Sequence, residues 1–157
     1  MKQTIKIKPI HPAAQVPRYA TEGAACFDIH AIVEAPLGIA GEDSASVAIA
    51  PGNAAVIRTG LTFEIPDGWV LKVYSRSGHG FKDGVRLVNA VGIIDADYRG
   101  ELKVGLHNDH RSKRFTVRHG DRIAQAMLEP APQHEIVVVD ELSSTERGAG
   151  GFGSTGA

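Results

Sequence analysis

Ala54-Ala-Val-Ile-Arg-Thr-Gly-Leu-Thr-Phe-Glu-Ile-Pro-Asp-Gly-Trp-Val-Leu-Lys-Val-Tyr74 consists of two β-patterned runs on either side of one turn signal. Pro66 presets a turn dihedral, Asp67 can bond its own backbone and Gly68 tolerates a left-handed corner. The spacing therefore predicts a strand over Ala54 to Ile65, a second over Trp69 to Tyr74, and a hairpin joining them. Upstream, Thr4 to Lys8 alternates polar and apolar residues as a half-buried strand does, and Pro9, Pro12 and Pro17 keep the next segment out of helix. Ala24 to Ala31 reads as a short apolar strand carrying one acid, Asp28. Glu34 to Pro51 reads as a surface loop, broken by Gly38 and Gly41, with a short strand at Val47 to Ile49. Downstream, Leu102 to Asn108, Lys113 to Arg118, Arg122 to Leu128 and the valine-rich Glu135 to Val139 are further strands. Helical periodicity does not exceed one turn near Ser77. Many short strands punctuated by Gly and Pro predict an all-β sandwich, jelly roll or barrel.

Composition narrows the partners. At 157 residues the chain can bury one sizeable core, and no break in composition asks for a second domain. Seventeen Lys plus Arg against eighteen Asp plus Glu leave a net charge of −1, which exerts no global pull on nucleic acid or an anionic membrane. Any phosphate ligand must be held by local groups. The lone cysteine, Cys26, excludes an internal disulfide and paired-cysteine zinc sites and fits a reducing, cytoplasmic setting. No apolar run approaches a membrane span, and the N-terminal residues lack the apolar core of a signal peptide, so a soluble intracellular protein is expected.

Three stretches carry chemistry. In Asn89-Ala-Val-Gly-Ile-Ile-Asp-Ala-Asp-Tyr-Arg-Gly-Glu101, Ile93 and Ile94 supply a strand anchor, and Asp95, Asp97 and Tyr98 then crowd a looped tip. A carboxylate beside an apolar wall and an aromatic ring can orient water while the ring stacks on a flat ligand, which makes Asp95 the candidate base. A simple Asp/Gly-capped turn accounts for the same residues when they are taken alone. Ser75-Arg76-Ser77-Gly78-His79-Gly80 can present N–H groups, hydroxyls and a guanidinium to phosphate oxygens, as well as forming an ordinary Ser/Gly loop. Arg147 to Ala157 has five glycines in eleven residues, so it cannot pack a core. Gly148 to Gly153 formally matches G-x-G-x-x-G, but no strand–turn–helix unit can follow it. What remains is a flexible strap with an arginine, an aromatic ring and two hydroxyls, the parts of a lid for a nucleotide. His107 and His110 have metal-like spacing, for which a polar loop is the simpler account.

Five segments, Ala24 to Ile29, Ser75 to Gly78, Asn89 to Glu101, Gly120 to Gln125 and Arg147 to Gly156, stand in an order that resembles the homotrimeric deoxyuridine triphosphatase (dUTPase) family over nearly the whole chain. The resemblance implies an all-β, jelly-roll-like β-barrel over residues 1–146, followed by a glycine-rich lid over 147–157. It implies a homotrimer with active sites at subunit interfaces and hydrolysis of dUTP to dUMP and diphosphate with Mg²⁺. That reaction lowers dUTP and supplies dUMP for thymidylate synthesis. Asp95 is then the residue that activates water for attack on the α-phosphorus. Tyr98 stacks on the deoxyribose and excludes a 2′-hydroxyl. Asn89, with the backbone around Ile93, Ile94 and Asp95, reads uracil, and Lys103 falls at a further nucleotide contact. Arg76, Ser77, Gly78 and Gln125 match phosphate-side positions. Phe152 and Gly153 match the part of the lid that covers the base, and Arg147, Ser154 and Thr155 match its clamp on the γ-phosphate. Asp28 lies near the metal without ligating it, the ion being held by the triphosphate and water.

The chain departs from the family pattern at Cys26, where glycine is usual, and at His79-Gly80-Phe81, where apolar residues are usual. The loop from Glu34 to Pro51 is longer than many members have and reads as a surface insertion. Two other readings remain: a deoxycytidine triphosphate deaminase, which resembles the same fold but lacks the complete tail, and a catalytically silent β-scaffold that binds a protein.

Overall fold

A computed structural model of the chain describes residues 3–34 and 46–151. Among the described residues eleven strands run in the order β1 (Lys6–Pro9), β2 (Phe27–His30), β3 (Ser46–Ile49), β4 (Ala54–Arg58), β5 (Leu61–Glu64), β6 (Trp69–Tyr74), β7 (Val85–Leu87), β8 (Val91–Ile94), β9 (Lys103–Asn108), β10 (Phe115–Arg118) and β11 (Arg122–Pro130). A single π-type turn, His79–Asp83, interrupts them and supplies the one helical turn anticipated near Ser77. All pairings are antiparallel. β2-β11-β6-β8 form a four-stranded sheet, β4-β9-β7 a three-stranded one, and β1-β5 and β10-β3 form two ribbons. This is the all-β, jelly-roll type of fold, and Ile29, Ile57, Leu71, Leu106, Val117 and Ile123 pack at its centre. Each such side chain contributes about 1.5–3 kcal/mol through removal from water.

The segment from 54 to 74 departs from expectation in one respect. The turn forms, with Gly68 at φ 75° and the Trp69 N–H bonded to the Pro66 carbonyl at 3.1 Å. The strands it joins are not a hairpin, because β5 pairs with β1 while β6 pairs with β11 and β8. Leu61, Phe63 and Ile65 on one side and Leu71 and Val73 on the other all enter the same core. The turn thus carries the chain from one layer to the next. The run over 54–65 also divides, at Thr59 and Gly60, into β4 and β5. Gly60 has φ 66°, and its added Cβ would lie 2.8 Å from His11 Cβ.

The looped tip within Asn89 to Glu101 joins two sheets, since β8 belongs to the four-stranded sheet and β9 to the three-stranded one. Glu135 to Val139 is not a strand. Ile136 and Val138 are 93% and 94% exposed, because valine-rich sequence becomes a strand only where a sheet edge accepts it, and among the described residues none does. Among the described residues no helix is long and apolar enough to cross a membrane.

Candidate active site

Register in the four-stranded sheet assembles one half of the site. Asp28 on β2 lies opposite Gln125 on β11, and Gln125 lies opposite Tyr74 on β6. Three segments distant in sequence therefore meet in one row. Beyond Tyr74 the chain leaves the sheet at Ser75, whose carbonyl accepts a bond from Gln125 Nε2 at 3.0 Å and whose hydroxyl accepts one from the Leu87 N–H at 2.9 Å. These two bonds fix the entry to Arg76, Ser77 and Gly78. Arg76 Nε donates to Asp28 Oδ1 at 3.1 Å, and Arg122 NH1 donates to Asp28 Oδ2 at 3.2 Å. Cys26, Asp28, Arg76, Ser77, Gly78 and Gln125 line a pocket of about 380 Å³. Burial, and then the nearby Glu129 and Asp28 carboxylates, push the Cys26 thiol up from its ordinary value, which disfavours a thiolate beside an incoming anion. The pocket offers a guanidinium, the Ser77 hydroxyl and backbone at the start of a helical turn, donors suited to phosphate oxygens.

The second half lies between β8 and β9. Asn89, Gly92, Ile93, Ile94, Lys103 and Gly105 line a mainly apolar cavity of about 280 Å³. Ile93, Ile94, Asp95, Tyr98 and Lys103 line an adjoining one of about 270 Å³. Asn89 enters through a tight turn in which the Val91 N–H bonds the Asn89 carbonyl at 2.6 Å. Ala90, at φ 60°, is the one non-glycine residue with positive φ among the described residues. Such strain persists only where the surroundings hold it. Gly92 keeps space beside the Asn89 amide, since a Cβ there would lie 3.1 Å from Val73 Cβ and 3.6 Å from Asn89 Nδ2. Tyr98 folds over Gly100 so closely that any Cβ at 100 would collide with the phenol, and its hydroxyl donates to the Glu101 carbonyl at 3.2 Å.

Two features were not singled out in the sequence. The Glu101 carboxylate, 11% exposed, accepts from the Gly60 N–H at 2.9 Å and from Arg58 Nε at 3.2 Å, tying the Asp95–Gly100 loop to the β4–β5 corner. Burial raises its pKa, but the Gly60 N–H and Arg58 outweigh that and hold the carboxyl below the usual value. Arg122, the second partner of Asp28, faces the acid because a bulge between Arg122 and Ala124 interrupts the β2–β11 ladder. No sequence pattern announces that bulge.

The two halves do not share a cavity. Asp95 follows the Leu71↔Ile94 rung of β6 and β8, whereas Arg76 follows Tyr74 at the other end of β6. Three rungs at ~3.4 Å put those ends about 10 Å apart before the lateral offset is added. Arg147 sits in neither: its Nε donates to its own turn, at the Gly150 carbonyl, at 2.8 Å. Phe152, Gly153, Ser154 and Thr155, and the 35–45 part of the long loop, lie outside the described residues. Among the described residues no group of three or more His, Cys, Asp or Glu can hold a metal ion. His110 Nδ1 accepts the Ser112 and Lys113 N–H groups, the behaviour of a loop histidine.

Comparison with known proteins adds the chemistry. The model of the dUTPase family matches residues 13–156. The deoxyuridine 5′-triphosphate nucleotidohydrolase of Nautilia profundicola is 48% identical over 152 residues, 97% of this chain and 98% of that protein. The enzyme of the same name from Caulobacter vibrioides NA1000 is 48% identical over 141 residues, 90% of this chain and 85% of that one. Among solved structures, the Staphylococcus bacteriophage 80alpha dUTPase with dUpNHpp superimposes with a TM-score of 0.80 at 28% identity, covering 99% of this chain and all of that one.

Proposed function

The chain belongs to the dUTPase family and hydrolyses dUTP to dUMP and diphosphate; from that premise we propose how its own residues divide the work. The observation that carries the proposal is the contrast between its two carboxylates. Asp28 is clasped by Arg76 and Arg122, so both its oxygens are engaged. Asp95 stands at the mouth of the cavity lined by Tyr98 and the two isoleucines, with no ion pair among the described residues. Asp95 is therefore the base that takes a proton from water, and Asp28 is an orienting acid behind the phosphate-binding arginine.

Asn89 and the backbone of Ile93 and Ile94 read the uracil edge, and a cytosine there would leave a buried donor or acceptor without its partner. Tyr98, braced against Gly100, closes the sugar subsite to a 2′-hydroxyl, and Lys103 borders the same cleft. Arg76, Ser77, Gly78 and Gln125 take the phosphate chain. Attack of water on the α-phosphorus breaks the bond to the bridging oxygen, leaving dUMP and diphosphate. Asp95 takes the water proton, and the guanidinium and N–H donors offset the charge on the leaving group. Bound Mg²⁺ would be held by the triphosphate and water with Asp28 nearby, and would supply charge neutralisation there. The donor set agrees, since the phosphate-side pocket offers one carboxylate and two arginines hold it.

A base half and a phosphate half that face different cavities of one chain become one site when subunits meet, which supports a homotrimer. Residues 1–146 form the barrel unit in this reading. Residues 147–157 close over a neighbour's site, with Phe152 and Gly153 on the base and Arg147, Ser154 and Thr155 on the γ-phosphate. The exposed Ile136–Val139 run is apolar surface that such an assembly covers. The lone free cysteine suits a cytoplasmic location. The enzyme lowers dUTP and provides dUMP for thymidylate synthesis.

The test is Asp95→Asn, assayed for diphosphate and ammonia with each deoxynucleoside triphosphate and Mg²⁺. The expected outcome is diphosphate from dUTP alone in the wild type and a loss of about 10²–10⁴ in kcat in a variant that still binds dUTP. A folded, ligand-binding variant with wild-type kcat refutes the assignment. Ammonia from dCTP would instead establish a deaminase.

A further inference from the structure

His79 opens the π-type turn, and both its ring nitrogens lie within hydrogen-bond distance of acceptors, so the tautomer protonated at Nε2 donates to the Arg122 carbonyl. Nδ1 lies 3.1 Å from Asp83 Oδ2, at the far end of the π-type turn. Nε2 lies 2.8 Å from the Arg122 carbonyl on β11. The ring meets Phe115 edge-on, centroids 5.1 Å apart, and the side chain is 20% exposed. The same Arg122 carbonyl accepts a bond from Arg76 NH1 at 3.2 Å. Arg76 and His79 thus share one acceptor, with Arg76 NH1 and His79 Nε2 3.4 Å apart. The guanidinium is held by Asp28 at Nε and by the Arg122 carbonyl at NH1, and that carbonyl is itself held to the turn by His79.

We propose that His79 is a positioning residue for Arg76: by bonding the Arg122 carbonyl it fixes β11 to the π-type turn and sets the angle at which the guanidinium enters the phosphate-side pocket. The role is peculiar to a polar residue at this position. Leucine could pack on Phe115 but could not bond the carbonyl, which would keep only the Arg76 NH1 contact and shift more readily with the bulged start of β11. The proposal rests on the phosphate-side reading of Arg76.

The experiment compares His79→Leu, His79→Gln, Arg76→Ala and the His79→Leu/Arg76→Ala pair in the full-length assembled enzyme. KM and kcat for dUTP, inhibition by inorganic diphosphate, and melting temperature are measured. Gln carries an N–H donor where His has Nε2, so it should restore the bond to the carbonyl. His79→Leu should raise KM and the diphosphate inhibition constant together by about fivefold, the worth of one net hydrogen bond, with a smaller change in kcat. His79→Gln should lie within about twofold of wild type. Should His79→Leu fail to fold, the Gln variant carries the test by restoring wild-type constants. In the Arg76→Ala background, His79→Leu should cost nothing further, because its effect passes through Arg76. A lowered melting temperature with unchanged KM and diphosphate inhibition in His79→Leu overturns the proposal, as does equal damage from Gln and Leu. If Arg76→Ala itself leaves KM and diphosphate inhibition unchanged, the phosphate-side reading fails and the positioning role falls with it. If Arg76→Ala raises both while His79→Leu raises neither, only the positioning role fails.

Discussion

Glu101→Gln isolates the bond that ties the proposed catalytic loop to the scaffold. Glu101 is 11% exposed and accepts from the Gly60 N–H at 2.9 Å and from Arg58 Nε at 3.2 Å. Glutamine keeps Oε1 for the Gly60 N–H and one Arg58 Nε contact, but the amide nitrogen that replaces Oε2 meets Arg58 Nε as donor against donor. Hydrogen bonds to charged groups are worth about 1.5–3 kcal/mol. Arg58 is 44% exposed and has Glu34 at 3.6 Å as a second partner, so solvent screening and re-pairing reduce the loss. The net destabilisation is roughly 1–2 kcal/mol near neutral pH. The pH dependence has a definite sign. The folded-state carboxyl is held below the usual value near 4.5, so its contribution is complete above that value and fades as pH falls through it into the folded-state range. Urea unfolding of wild type and variant, at one protein concentration because assembly affects stability, should show the full gap near pH 7 and a narrowing gap below about pH 4.5. A gap of constant size across that range, or none near neutral pH, would falsify the reasoning.

Asn108→Leu removes a buried amide that donates to the Ile49 and Lys113 carbonyls at 2.9 and 2.8 Å and accepts from the His110 N–H at 3.0 Å. Three backbone groups lose their partner, and the expected cost in chemical denaturation is about 2–4 kcal/mol. Gly60→Ala places a methyl against Ile32, His11 and Ala14 at a corner with φ 66°, and should cost about 2–3 kcal/mol in the same measurement; a neutral result would show that the corner yields freely. Gly100→Ala drives the Tyr98 ring from its seat. The ratio of kcat/KM for UTP to that for dUTP should therefore rise, and an unchanged ratio would remove Tyr98 from sugar discrimination.

The strands were legible because pattern is local: Leu102 to Asn108 declares its alternation, and Trp69 to Tyr74 its short apolar run after a turn, regardless of partners. Pairing was not legible, and the errors share that cause. Pro66-Asp67-Gly68 specifies a turn but not which strand each arm seeks, and here the arms seek β1 on one side and β11 on the other. Glu135 to Val139 has strand composition without an edge to join. Asp28, Arg76 and Asp95 stood out as candidates by residue type, and Asn89 and Gln125 only through the resemblance to the family. Their grouping into two halves did not, because it depends on register. Glu101 escaped notice, and His79 stood out only as a departure from pattern, because their work is done through backbone groups, the Gly60 N–H and the Arg122 carbonyl, that a sequence does not display.

The two halves have one strand in common, and that fact constrains how the enzyme can work. β6 delivers Arg76 beyond Tyr74, while its Leu71 rung supports Ile94 and the loop beginning at Asp95. A rigid strand of this kind cannot bring its own two ends together around one triphosphate, since shortening it would break the ladder to β11 as well as to β8. Attack at the α-phosphorus needs the base within reach of the same phosphate chain that the arginine holds. In the proposed trimer that requirement is met by the three-fold rotation that sets one subunit beside the next and not by bending of the sheet. Each β6 then serves two sites, presenting its phosphate end to one and its base-bearing neighbour to the next. Assembly is on this argument a condition for chemistry, beyond any stability it adds.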